Sequence, residues 1–393
     1  MTTIRRFLPV VCIVWTLHSG GASAADEEWL GETVMLKVTA VPQVGTRRID
    51  YLDIDVPATV ERVQGDWLWV DSAWVRKADA LLLDDAPAYY TKVINGGTQR
   101  TVGYMLRAIS WLGKNEYENA VKDLTVALRA EPDNAFFYRL RGSARYGKHD
   151  YDAALADFNE ALRLEPNNLL AMDGRGCVWI EKGELARSLK EFNDMLRIDP
   201  RNALAYGNRA GIWFDMKEYE KSLSDLNRAI QLDPKLSSAY ANRGRWYMKH
   251  GDYTKALDDY KKSLKLAPRE WIAYHGLARV YATAPVFEAH IRDGKRALEM
   301  AEKACELSLW NDWMPLTGLA AAYAELGDFE AAVKWQTKAV ALSRQERELA
   351  RREVREQLEC YQAGKPYYDE PIKLKDEAVP TTELTGGEKK AAP

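Results

Sequence analysis

The sequence predicts a mainly α protein: a right-handed α-solenoid of about seven helical-hairpin repeats, preceded by a small all-β barrel. Two observations predict this fold class. From residue 101 onward, prolines and small residues recur every 34 residues, a period typical of stacked helical hairpins. Before residue 86, apolar and polar residues alternate over short segments that end in turn residues, as they do in the strands of a sheet.

The repeat shows as columns of similar residues. The proline column contains Pro132, Pro166, Pro200, Pro234 and Pro268. A column of small residues contains Ala108, Gly142, Gly176, Ala210 and Gly244. A proline ends the second helix of each unit because it cannot continue the hydrogen-bond ladder, and small residues let the two helices approach closely. One hairpin cannot bury its apolar face alone, so we expect the units to stack.

The columns resemble those of the tetratricopeptide repeat family. In the second unit, the residues that carry this resemblance are Tyr138, Gly142, Tyr151, Ala154, Phe158, Ala161 and Pro166. Five regular units occupy residues 101–134, 135–168, 169–202, 203–236 and 237–270. A sixth unit begins at Trp271 and is interrupted at Ala284-Pro285, and a seventh is recognisable around Leu316. The resemblance therefore implies a repeat domain over residues 101–343.

The other segments complete the predicted domain organisation. Residues 1–25 have the layout of a secretory signal peptide, in which two arginines precede an apolar run and a small-residue cleavage site. The alternative is an uncleaved anchor. The remaining predicted parts are the barrel (26–85), a linking helix (86–100), a charged capping helix (344–365) and a disordered tail (366–393). We therefore expect an exported protein, periplasmic or secreted, with no transmembrane segment after signal removal.

The tryptophan-rich strands resemble a bacterial Src-homology-three-like domain. The residues that carry this resemblance are Asp66-Trp67-Leu68-Trp69-Val70 followed by Ala73-Trp74-Val75. Domains of this family in exported bacterial proteins often bind cell wall or peptide, which would make Trp67, Trp69 and Trp74 a ligand groove. The competing interpretation, which the small size of the domain favours, is that two of the three tryptophans fill its core.

Composition and motifs argue against several functions. The chain has 55 Lys+Arg against 58 Asp+Glu, so it lacks the basic excess that nucleic-acid binding requires. It contains none of the phosphate-loop, serine-nucleophile or zinc-peptidase motifs, and no two histidines have a spacing that suits a metal. We therefore predict no catalytic residue, no metal and no cofactor, and we expect a protein that is not an enzyme.

Two rows of charged residues recur with the repeat. The first row contains Arg107, Arg141, Arg175, Arg209 and Arg243. The second contains Asp123, Asp157, Glu191, Asp225 and Asp259. A row of unpaired arginines would indicate an anion-binding stripe. Because every arginine has a matching acid, the pattern favours ion pairs between helices of the same or adjacent repeats.

The family resemblance implies a peptide-binding groove on the inner residues of the first helices. On the matching positions, the candidate residues are Phe136, Arg139, Leu170, Leu204, Asn208, Asn242 and Arg245. Paired asparagines can bond a peptide backbone through both donor and acceptor, and the apolar column would supply pockets. The alternative is that the apolar residues are packing residues. Asp173, Gly211 and Ser238 disfavour capture of chaperone tails, so an apolar partner segment is expected.

The predicted function is that of an exported, non-enzymatic protein–protein interaction scaffold for an unidentified protein or peptide. The alternative is a cell-wall (peptidoglycan) binding protein, in which the barrel binds the wall and the repeats recruit an enzyme. These two interpretations differ in which domain holds the affinity.

Overall fold

A computed structural model describes residues 29–30, 32–37, 43–44, 47–48, 57–70, 73–97, 99–285, 290–343, 348–369 and 371. The predicted signal peptide lies outside the described residues, as do residues 372–393 of the predicted tail. The chain divides into two compact units, residues 1–166 and 167–393. Among the described helices, none has the length and apolar composition needed to cross a bilayer.

The first unit begins with a small antiparallel sheet. Its strands are β1 (Thr33–Leu36), β2 (Gln43–Val44), β3 (Arg47–Arg48), β4 (Ala58–Gln64), β5 (Trp67–Val70), β6 (Ala73–Arg76) and β7 (Ala80–Leu82). Their order across the sheet is β3-β2-β6-β5-β4-β1-β7. Alternate residues of these strands, among them Val34, Leu68 and Val75, form an apolar core. The sheet is as expected, and its closure into a barrel stays a prediction.

The rest of the first unit is helical. It contains α1 (Ala86–Asn95), α2 (Arg100–Gly113), α3 (Tyr117–Ala130), α4 (Ala135–Gly147) and α5 (Tyr151–Leu164). Helix α1 occupies the place of the predicted linking helix. Its Tyr90 is fully buried, and the Tyr90 hydroxyl donates to the carbonyl of Leu36 on β1. This hydrogen bond ties the sheet to the helical core, which also contains Met35.

The second unit contains the remaining hairpins and a final helix. Its helices are α6 (Leu169–Glu181), α7 (Leu185–Ile198), α8 (Ala203–Asp215), α9 (Tyr219–Leu232), α10 (Ser237–Lys249), α11 (Tyr253–Leu266), α12 (Trp271–Thr283), α13 (Gly294–Leu307), α14 (Trp313–Glu325), α15 (Phe329–Leu342) and α16 (Glu348–Gln362). Helices α2 to α15 form the seven hairpins that the repeat predicts, and α16 follows them.

Repeated residues explain why each hairpin folds alike. Asn134, Asn168 and Asn202 cap the first helices of their repeats, since each side chain accepts a hydrogen bond from a backbone N–H in the first turn. The small-residue column marks the closest approach of the two helices. A Cβ atom at Gly176 would lie only 2.8 Å from the ring of Phe192 on α7. A larger residue there would push the hairpin apart.

The predicted ion pairs are confirmed. Each arginine of the row binds the acid 16 residues later, on the second helix of its own repeat. Arg243 shows the pattern: its Nε and Nη2 donate to Asp259 at 2.7 and 2.9 Å. Its Nη1 donates to Asn227 of the preceding repeat at 2.8 Å. Arg209 and Arg243 therefore hold their own hairpins and the preceding ones in register.

The end of the chain differs from the prediction. The polar composition of the sequence predicts a disordered tail from residue 366, but residues 366–369 and 371 pack against the repeats. Asp369 is 1% exposed and forms an ion pair with Arg279 on α12. A buried carboxylate is stable when it is paired and hydrogen-bonded, and Arg279 supplies that pairing. Polar composition alone was therefore a wrong guide at this position.

Candidate functional site

The candidate groove residues of the second unit lie on the first helices of the repeats: α6, α8, α10 and α12. Neighbouring first helices contact each other directly. Asn208 donates to Asp173 at 2.7 Å, and the Arg245 guanidinium lies 4.0 Å from the carboxylate of Asp215. We call this region of the second unit the first-helix surface. Its members are Leu170, Asp173, Leu204, Asn208, Gly211, Asn242, Arg245, Ile272 and Arg279.

Large apolar side chains on this surface are exposed. Leu170 is 59% exposed, Leu204 38% and Ile272 43%, and the three occupy the same position in their repeats. Exposure of this size argues against the alternative that these residues serve only to pack the core. Scattered single exposed leucines are ordinary. Here the exposed apolar residues recur at one position of the third, fourth and sixth repeats, whereas the fifth repeat has Ser238 there.

The candidate residues of the first unit form a pair. Phe136 is 39% exposed and lies at the position that Leu170 occupies in the next repeat. The Arg139 guanidinium stacks over the Phe136 ring at 4.8 Å from its centroid. Cation–π contact of this kind keeps both side chains at the surface in a defined arrangement.

One of the two candidate asparagines has a partner within the protein. One N–H of the Asn208 amide donates to Asp173, so the carbonyl oxygen and the second N–H are the groups left for a ligand. Burial raises the pKa of Asp173, and the hydrogen bond from Asn208 opposes that rise. Asn242, one repeat later, is half-buried. The pair therefore offers an acceptor at Asn208 and an amide at Asn242.

Space and charge vary along the surface. Around Gly211, a Cβ atom would meet nothing within 4 Å, so the surface is open at this point. One repeat later, the Arg245 guanidinium stacks over Phe214 at 4.6 Å. Carboxylates occur on α6 and α8, at Asp173 and Asp215, whereas the cations Arg245 and Arg279 lie on α10 and α12. The acids and the cations are therefore segregated along the surface, and the Arg279 cation is already paired with Asp369.

The chemistry needed for catalysis is not evident on this surface. Burial, together with the carboxylates of Asp173 and Glu181, raises the pKa of the Cys177 thiol to about 12. The thiol therefore stays protonated at neutral pH and is a poor nucleophile. Within the ranges that the structure describes, no group of three or more histidine, cysteine or acidic side chains is arranged to hold a metal ion.

The structure adds residues that the sequence prediction missed. Arg279 and Thr283 on α12 and Lys249 on α10 surround Asp369. A signal for Arg279 was present, because it lies one period after Arg245 in the column that begins at Cys177. Thr283 likewise lies one period after Lys249. No comparable signal marks Asp369, since that residue lies outside the repeats.

The tryptophans of the sheet lie apart from its core. Trp67, Trp69 and Trp74 are half-buried, and they alternate with the fully buried Leu68 and Val75 along β5 and β6. Trp69 and Trp74 pair across the two strands, with ring centroids 5.2 Å apart. The preference for two of them as core residues was wrong, because strand alternation sends Leu68 and Val70 inward instead. Whether they bind a ligand stays a prediction.

Family models match the repeats. One tetratricopeptide repeat model matches residues 135–168 and 237–270, and a second matches residues 203–236 and 316–346. Three of these segments coincide with predicted units. The chain therefore contains tetratricopeptide repeats, a fold that implies protein partners and whose members are generally non-enzymatic scaffolds. The matched segments do not include the sheet, so its Src-homology-three-like resemblance stays a prediction.

Solved structures are similar to this chain. A chain of the APC/C hetero-tetramer Cut9–Hcn1 is similar with a TM-score of 0.55 and 15% identity, over 71% of this chain and 52% of that one. This chain thus spans about half of that relative's length. A tetratricopeptide repeat protein from Parabacteroides merdae has a TM-score of 0.47 and 18% identity over 67% and 98% of the two chains. Yeast Tom70 has a TM-score of 0.49 and 17% identity over 72% and 59%. No curated protein matches the sequence.

Proposed function

We propose that this protein is an exported, non-enzymatic scaffold that holds a peptide or a segment of a partner protein on its first-helix surface. The observation that carries the proposal is the exposed apolar row of Leu170, Leu204 and Ile272. Burying these side chains under a ligand would release about 25 cal/mol for each Å² of apolar surface removed from water.

The polar groups beside the apolar row support a peptide as the ligand. The Asn208 carbonyl can accept from a backbone N–H, and the Asn242 amide can bond a backbone carbonyl. The open space at Gly211, one turn along α8 from Asn208, admits a main chain or a side chain. Together, these features offer backbone recognition beside side-chain pockets, the combination by which extended peptides are bound.

The export part of the proposal is supported by the first 25 residues. Their arginines, apolar run and small residues match the three regions of a cleaved signal. The test is the N-terminal sequence of the protein purified from its own cells. We expect a chain that begins close to residue 25. A mature protein that retains Met1 and fractionates with the cytoplasm would contradict export.

The test of the binding surface uses the full chain and a phage-displayed peptide library. The test variant is the double substitution Leu170→Asp and Leu204→Asp. The matched control is Ile198→Asp, because Ile198 is 44% exposed but lies on the second helix of the same repeat as Leu170. Peptides should be enriched on the parent and on the control, and be lost from the double variant. Equal enrichment on all three proteins would refute the proposed surface.

A further inference from the structure

Residues 366–369, which we call the strap, lie on the first-helix surface of the last repeats. Arg279 Nη2 donates to both carboxylate oxygens of Asp369 at 2.6 and 2.7 Å, and the Thr283 hydroxyl donates to the carboxylate at 2.6 Å. Lys249 Nζ lies 3.8 Å away. The Asp369 backbone N–H donates to the Thr283 carbonyl at 3.0 Å. Asp369 is thus held through its main chain and its side chain.

The residues that hold Asp369 lie on first helices, and one of them, Arg279, belongs to a column of the first-helix surface. Arg279 is the next member of the column that contains Gly211 and Arg245, and Lys249 and Thr283 share the following column. The strap therefore lies where a peptide ligand of repeats five and six would lie. Residues 365–369 belong to no helix or strand, so the strap contacts the repeats as an irregular segment, as a bound peptide would.

Aromatic residues precede the aspartate in the strap. The Arg292 guanidinium stacks over the Tyr368 ring at 4.5 Å. Tyr367 packs against an apolar cluster that contains Tyr361 and Ala324. The Tyr253 hydroxyl donates to the Asp369 carbonyl oxygen at 3.4 Å. These contacts define a site for an acidic residue that follows two aromatic residues.

Charge determines which ligand could replace the strap. Without Asp369, Arg279 would keep Glu353, which lies 3.5 Å away, as an acidic neighbour, and Lys249 would lose the carboxylate that it shares with Arg279. Burial of uncompensated charge is costly, so the vacated site requires an acidic group in place of the Asp369 carboxylate. A neutral or basic segment would leave at least one cation unpaired.

The strap is less firmly anchored than the helices beneath it. Residues 366–368 are half-buried, and the segment has no hydrogen-bonded ladder of its own, whereas the α12 residues Leu277, Ala278 and Val280 are core residues. Segments of this kind open locally at a lower free energy than the core. The strap can therefore leave its site while the repeats stay folded.

We propose that the Arg279, Thr283 and Lys249 site binds a partner segment in which an acidic residue follows aromatic residues, and that the strap is its intramolecular occupant. The proposal rests on the proposed function, because it names the ligand chemistry of one part of that surface. The partner segment must displace the strap. The apparent affinity of the protein for the partner is therefore its intrinsic affinity multiplied by the fraction of molecules in which the strap has left the site.

The test measures binding of a labelled peptide with the sequence of residues 365–371 to three full-length proteins. Asp369→Arg is designed to expel the strap by charge repulsion while every site residue stays in place. Lys365→Glu is the matched control, since it changes charge at an exposed residue beside the strap. We expect Asp369→Arg to bind the peptide at least about tenfold more tightly than the parent and the control do.

A second peptide identifies the acidic group as the determinant. The same peptide with asparagine in place of its aspartate should bind Asp369→Arg roughly 10- to 100-fold more weakly, the usual effect of losing hydrogen bonds to a charged group. Equal binding of both peptides, or binding of neither, overturns the assignment. If the parent protein forms a dimer as its concentration rises, and Asp369→Arg does not, the strap of a second copy of this chain is the ligand. That result would also overturn the assignment of a separate partner segment.

A measurement on the parent alone guards against a variant that does not fold. In native-state hydrogen exchange, the Asp369 amide should exchange faster than the core amides of α12, and excess peptide should accelerate it further. If the Asp369 amide and the core amides of α12 all exchange only when the whole protein unfolds, the strap does not open separately. That result would refute the proposal that a partner displaces the strap. If library peptides still require Leu170 and Leu204 in that case, the proposed function stands without this inference.

Discussion

Arg209 and Asp225 lie 16 residues apart, on the two helices of one repeat, and form a two-bond ion pair. Arg209 Nε and Nη2 donate to the two carboxylate oxygens at 2.7 and 2.8 Å. The third nitrogen, Nη1, donates at 2.7 Å to Asn193 on the second helix of the preceding repeat. One side chain thus joins three helices, and the fork geometry of arginine suits it to this role.

We expect Arg209→Ala to lower the free energy of unfolding by roughly 2 to 3 kcal/mol, because Asp225 would stay buried without its charged donor. The matched control is Arg245→Ala on α10. The Arg245 side chain is 55% exposed, and its guanidinium lies 4.0 Å from the Asp215 carboxylate, which is too far for a hydrogen bond. That change should cost at most about 1 kcal/mol. Urea unfolding of both variants measures the difference, and equal costs would show that the ladder does not stabilise the stack.

The ion-pair ladder could be predicted because each repeat makes the same contacts. A contact that is made once per unit appears as a column in the sequence, so the pairing of Arg209 with Asp225 is visible in the order of residues alone. The same holds for the close approach of Gly176 to Phe192. Because similar units stack, residues that are neighbours in space recur at a fixed interval in the sequence. This is why the fold class could be predicted in such detail.

Contacts that are made once leave no such trace. Arg279 and Asp369 are 90 residues apart, and nothing in the local sequence of the strap distinguishes it from a solvated tail. The half-buried positions of Trp69 and Trp74 depended on strand register, which composition does not determine. The candidate groove was therefore predicted where it repeats, and the strap site was missed where the repeats end.

Two glycines of the first helices should respond in opposite directions to the same substitution. A Cβ atom at Gly276 would overlap the ring of Tyr260, which is buried and cannot move away, so Gly276→Ala should destabilise the fold by about 1 to 3 kcal/mol. Gly211 has open space, so Gly211→Ala should stabilise its helix by up to about 1 kcal/mol. Thermal unfolding of both variants gives the sign, and a shared sign would contradict the packing at one of the two sites.

The open space at Gly211 also makes a selective block possible. We expect Gly211→Phe to leave the free energy of unfolding within about 0.5 kcal/mol of the parent, because the ring would enter open space rather than the core. The phenyl ring would fill the space beside Asn208, so peptides selected on the parent should bind at least about tenfold more weakly. Fluorescence titration measures that affinity, with Gly211→Ala as the control of small volume. Undiminished binding to Gly211→Phe would place the ligand elsewhere.

His275 on α12 should make stability depend on pH in the mildly acidic range. Burial, with the nearby Arg279 cation, lowers the pKa of His275 to about 3, and the Asp369 carboxylate opposes this shift. An unfolded histidine has a pKa near 6.5, so below that pH the unfolded chain binds a proton that the folded chain does not. Stability should therefore be fully present above pH 6.5 and fall as the pH drops towards 3, by at most about 1.4 kcal/mol per pH unit.

The variant that checks this linkage is His275→Gln, which removes the titrating ring. Its free energy of unfolding, measured in urea at pH 7.5 and at pH 5.0, should fall less than that of the parent. The difference should reach up to about 2 kcal/mol, because roughly 1.5 pH units lie below the unfolded pKa in that range. Comparison above pH 5 keeps carboxylate protonation largely out of the result. Parallel pH profiles of the parent and the variant would show that the pKa of His275 is the same in the folded and unfolded chains, against the lowered pKa described above.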